Sequence, residues 1–97
     1  MNRQQILTIL AAQAGELRAR GVASLALFGS AAREQAGPAS DIDLLVEFAR
    51  PVGLFDFFRL QHWLEEILEV ERVDLVEKGA LHPALSQRVL DEAIRVA

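Results

Sequence analysis

The chain has 97 residues, with 14 acidic against 10 basic side chains and a formal net charge of −4. That length suits one domain spanning 1–97, because two independent cores would each be too small, and 52% hydrophobic with 25% charged residues excludes a disordered chain. The acidic balance opposes direct nucleic-acid binding, which needs a basic footprint, and the lack of cysteine removes disulfides, thiolate nucleophiles and cysteine-ligated zinc.

From Gln4 to Arg20, apolar Ile6, Leu10, Ala14 and Leu17 recur at spacings of three and four, predicting one amphipathic helix that Gly21 ends in a left-handed conformation. Polar Arg3, Gln4, Gln5, Gln13 and Glu16 interrupt this stretch, so it is no signal peptide. No apolar run approaches the ~20 residues of a membrane span; no membrane association and a cytoplasmic location are expected. Val22 to Phe28 is short and apolar and stops at glycine, as a buried strand does. A short helix is predicted over Ala31 to Gln35, broken by Gly37-Pro38. Ser40 to Phe48 reads as a second strand. Leu54, Phe57, Phe58, Leu64, Ile67 and Leu68 place a helix over Leu54 to Val70, and Val73 to Glu77 is a third strand. Leu81, Leu85, Val89, Ala93 and Val96 predict a last helix. Such alternation implies an α/β fold, a small mixed sheet of three or more strands covered by about four helices.

Three features carry chemistry: Gly29-Ser30 after the first strand, Asp41-Ile42-Asp43 on the second, and Asp74 on the third. Alternate strand residues share a face, so Asp41 and Asp43 project together, about 7 Å apart along the backbone. Carboxylates so close repel unless a cation lies between them, and oxygen donors of this type suit Mg²⁺ or Mn²⁺. Asp74 can complete the set while Val73 and Leu75 point into the core. Glycine lets a backbone approach a ligand closely, and a serine beside unpaired helix N–H groups makes a phosphate seat. Arg33, three residues after Ser30, reaches the same side; its alternative is a surface ion pair with Glu34 or Glu47. Ser40 either contacts the nucleotide or only turns the chain into the strand. Neither G-x-G-x-x-G nor G-x-x-x-x-G-K-[ST] occurs. Gly-Ser followed at this spacing by Asp-x-Asp arises by chance in about one chain per thousand of this length.

The run LFGSAAREQAGPASDIDLLVEF resembles the signature of the nucleotidyltransferase superfamily that includes DNA polymerase beta. More narrowly, the chain is similar to minimal nucleotidyltransferase (MNT) domains, antitoxins to HEPN-domain ribonuclease toxins. The resemblance implies that Gly29 and Ser30 hold the phosphates of ATP. It implies that Asp41, Asp43 and Asp74 bind two Mg²⁺ ions, with Mn²⁺ as a substitute, and that Asp74 also acts as base. It further implies transfer of AMP to a tyrosine of a HEPN-domain partner in a hetero-oligomer. Two alternatives stand beside it: an antitoxin that neutralises by stoichiometric binding, and a free-standing transferase acting on a small molecule.

The remaining features are read more plainly. His82 before Pro83 suits a helix start, His62 a helix surface, and Glu65, Glu66, Glu69 and Glu71 a solvated helix face. Phe55, Phe57 and Phe58 span too wide an arc for one apolar stripe, so some are core and one or two are candidate partner anchors.

Overall fold

The computed structural model describes residues 2–29, 42–80 and 94–96. Helices α1 (Arg3–Ala12) and α2 (Ala14–Ala19) lead into strand β1 (Val22–Phe28), followed by β2 (Ile42–Phe48), α3 (Leu54–Leu68), β3 (Val73–Glu77), a 3-10 turn (Lys78–Ala80) and β4 (Ile94–Arg95). The sheet has the order β3-β2-β1-β4. β1 runs antiparallel to both β2 and β4, whereas β2 and β3 are parallel and joined through α3. The mixed α/β architecture expected from the alternating pattern is therefore present. Among the described residues, no helix is long and apolar enough to cross a membrane.

One face of the sheet carries the core. Leu25 and Leu27 of β1, Leu44 and Val46 of β2, and Val73 of β3 are fully buried against Leu10, Leu17, Leu60, Leu64 and Leu68 of the helices. Strand alternation then sends Asp43, Glu47 and Asp74 to the opposite face. The helix ends follow local chemistry. Asn2 caps α1 through a reciprocal box, its Oδ1 accepting from Gln5 N–H and its own N–H donating to Gln5 Oε1, each at 2.9 Å. Gly21 turns the chain into β1 at φ 89°. α3 ends instead on Glu69 at φ 54°, a left-handed conformation that costs a side-chain-bearing residue energy.

Three expectations are corrected. The first helix is broken at Gln13 (φ −103°, ψ 16°) rather than continuous to Arg20. The weak helix former Gly15 lies two residues further on, and Leu17 on the second helix is still buried in the core. The helix predicted through Val96 does not extend that far: Ile94 and Arg95 pair with Leu27 and Ala26, and Val96 N–H donates to the Leu25 carbonyl at 2.8 Å. The open edge of β1 recruits these backbone groups, a demand that side-chain periodicity does not register. Finally, Glu65 is not on a solvated face, as described below. The short helix at Ala31 to Gln35, the residues from 81 to 93, and His82 among them, lie outside the described residues.

Candidate active site

β2 and β3 set two carboxylates side by side. In their parallel ladder Asp43 is the register partner of Asp74, so the two side chains leave one sheet face from backbones about 4.8 Å apart. Asp43 is half-buried and Asp74 exposed, whereas Val73 and Leu75 on either side of Asp74 are buried. The sequence pattern anticipates that division. Like charges on adjacent strands repel, and the oxygen donors presented here fit a hard divalent cation that would relieve the repulsion. Among the described residues this is a pair and not a cluster of three; Asp41, the expected third donor, lies outside them, as do Ser30, Arg33 and Ser40.

Gly29 closes on the same point. Phe28 is the antiparallel register partner of Asp43, and the chain leaves β1 through Gly29 at φ 71°. A Cβ on Gly29 would overlap Asp43 Oδ2 and stand 3.1 Å from its Cγ. Only glycine lets the backbone pass this close to the carboxylate, so Gly29 and Asp43 form one structural unit.

The edge of β3 is held by two side chains that periodicity did not single out. Val73 turns its peptide groups away from β2; Glu65 Oε2 accepts its N–H at 2.9 Å and Gln61 Nε2 donates to its carbonyl at 2.8 Å. Both residues stand on α3, four apart, and together they fix the backbone immediately before Asp74. The signal that could have found them is the i, i+4 placement of two polar residues flanking buried Leu60 and Leu64.

The rest of the carboxylate face is electrically mixed. A cleft of about 250 Å³ is lined by Ser24, Leu45, Glu47, Lys78 and Arg95 among others. Lys78 Nζ lies 3.9 Å from Glu47 Oε2, and Ser24 Oγ donates to Glu47 Oε1 at 3.4 Å. Exposed pairs of this kind contribute little stability, but they bring cations onto the face that holds Asp43 and Asp74.

Comparison with known proteins agrees with this geometry. Residues 7–96 match the family model described as "Nucleotidyltransferase domain", and the chain belongs to that family. The protein adenylyltransferase MntA of Thermococcus cleftensis is 40% identical over 94 residues, covering 96% of this chain and 94% of the relative. A solved structure provisionally assigned as a minimal nucleotidyltransferase superposes with a TM-score of 0.85 at 38% identity, covering 97% of this chain and 95% of that one. The chain is thus an enzyme of the nucleotidyltransferase class, and within that class it has the minimal fold. A tri-AMPylated Shewanella oneidensis HEPN toxin in complex with its MNT antitoxin gives a fold match at TM-score 0.67 and 22% identity, over 94% of this chain and 71% of that one.

Proposed function

We propose that this chain is the antitoxin of a HEPN/MNT pair and transfers AMP from ATP to a tyrosine of its HEPN ribonuclease partner. The observation that carries the reading is the alignment of Asp43 with Asp74 across a parallel ladder, with Gly29 closed against Asp43. Family membership and the adenylyltransferase relative support it, as does the AMPylated toxin of the Shewanella complex. Two Mg²⁺ ions, or Mn²⁺ in their place, held by Asp41, Asp43 and Asp74, would neutralise the triphosphate and acidify the acceptor hydroxyl. Gly29 and Ser30 seat the phosphates, with Arg33 and Ser40 as further nucleotide contacts. Asp74 accepts the proton of the tyrosine hydroxyl as its oxygen bonds to the α-phosphorus. The bond from that phosphorus to the bridging oxygen breaks, and pyrophosphate leaves. Positioning and charge neutralisation supply most of the rate. The assembly is a cytoplasmic hetero-oligomer with its protein partner, without direct contact to nucleic acid or membrane.

The test is incubation with the cognate HEPN-domain partner, ATP and Mg²⁺, followed by intact-mass analysis. One or more AMP units should appear on the partner and vanish with Asp43→Ala. An unmodified partner with the intact enzyme refutes the transfer. If Asp43→Ala still neutralises the toxin, stoichiometric binding is the operating mechanism.

A further inference from the structure

The first turns of α3 leave Leu54, Phe55 and Phe58 exposed by 69%, 80% and 44%. Phe58 follows Leu54 by four residues and Phe55 by three, so the three side chains lie together on one side of the helix. At about 200 Å² per large side chain they present roughly 390 Å² of apolar surface, the scale at which a patch marks a contact site. The patch has a firm base. The Phe58 ring meets Phe57 edge-on at 5.9 Å, and Phe57 meets Phe48 at 6.4 Å.

Its border is basic. A cleft of about 310 Å³ beside the helix start is lined by Arg20, Arg50 and Arg59 together with Asp56. Arg59 pairs with Asp56 at 3.5 Å and Arg20 with Glu16 at 3.1 Å, so three guanidinium groups face two carboxylates and the border keeps a small positive surplus. Gly53, the N-cap of α3, provides no side-chain cap, so the positive helix end adds to the guanidinium charge. Arg59 follows Phe55 by four residues and joins patch to cleft. This concentration of arginine stands out in a chain of net charge −4. A second copy is the wrong occupant, because two-fold pairing would set the arginine border against itself. An apolar surface bordered by carboxylates fits instead.

We infer that Leu54, Phe55 and Phe58, with Arg59 and the arginine cleft, form the docking surface for the HEPN-domain partner, which meets it through an apolar face edged with Asp or Glu. The inference rests on the antitoxin reading. The surface follows the C-terminal end of β2, whereas Asp43 lies near its start, five residues or about 17 Å from Phe48. It also belongs to the helix layer, on the side of the sheet away from the carboxylates. Docking there leaves the catalytic face uncovered, and the acceptor tyrosine has to come from a part of the partner that extends round the sheet to Asp74.

Calorimetric titration of the cognate HEPN-domain partner into the full chain tests this. Phe55→Asp and Arg59→Glu should each weaken binding by roughly tenfold or more, whereas Asp74→Asn should bind like the wild type while losing transfer. Unchanged melting temperatures show that these exposed substitutions leave the fold intact. Wild-type affinity in both Phe55→Asp and Arg59→Glu overturns the docking surface and leaves the antitoxin reading standing. No binding by the wild-type chain overturns both. A wild-type dimer in sedimentation that Phe55→Asp dissolves assigns the patch to self-association and overturns the inference.

Discussion

Gly29→Ala tests the joint construction of the β1 exit and Asp43. The new methyl group meets two penalties. A left-handed φ of 71° costs an alanine about 1–2 kcal/mol. The collision with the Asp43 carboxylate forces that side chain off its position, and overpacking of this kind adds about 1–3 kcal/mol. The sum is about 2–5 kcal/mol in the wild-type background. Asp43→Ala removes the Oδ2 and Cγ atoms that the methyl would strike, leaving mainly the backbone penalty of about 1–2 kcal/mol. A double-mutant cycle by urea unfolding should therefore return a coupling of about 1 kcal/mol or more, above the ~0.5 kcal/mol scatter of independent sites. Gly29→Ala alone should lower the melting temperature by at least ~8 °C for a domain of this size. Equal costs of Gly29→Ala in both backgrounds would refute the claim that the carboxylate occupies the space beside Gly29.

Other substitutions probe the same framework. Glu65→Leu strands the Val73 N–H at the edge of β3 and should destabilise by about 1–3 kcal/mol in chemical denaturation, whereas Glu65→Gln keeps an acceptor oxygen and should recover most of that loss. Glu69→Gly relieves the left-handed strain at φ 54° and removes a negative charge from the negative end of α3, so the melting temperature should rise by several degrees. Asp74→Asn should abolish AMP transfer in the intact-mass assay while circular dichroism stays unchanged, because the side chain is exposed. Leu64→Ala, in the fully buried core, should cost about 2–5 kcal/mol in urea unfolding.

The strands were readable where composition alone decides them. Val22–Phe28 and Val73–Glu77 are apolar runs whose ends coincide with turn residues or charge, and the observed boundaries coincide with those expected. Phe57 against Phe55 and Phe58 was readable in kind: the arc was too wide for one face, and the structure turns Phe57 inward onto Phe48 and leaves the other two exposed. What depends on backbone hydrogen bonding was not readable. β4 is two residues long and pairs with the edge of β1, so the apolar spacing misleads where it carries the expected helix on to Val96. Glu65 sits in an acidic run that suggests solvent, yet it accepts a bond from a strand eight residues later in the chain. Asp43 and Asp74 were identifiable as residues on one sheet face. Their register was not, because strand order and ladder alignment are set by the whole core.

That register has a consequence for how such a site changes over time. The separation of the Asp43 and Asp74 backbones is the lattice spacing of a sheet, about 4.8 Å, and no substitution in the core alters it gradually. A slip of one residue between β2 and β3 would carry one carboxylate through to the helix side, so no intermediate arrangement exists. The carboxylate pair behaves as a digital element, present or lost. Gradual adaptation to new acceptors must fall to the loops and to the surfaces that choose what is brought to it.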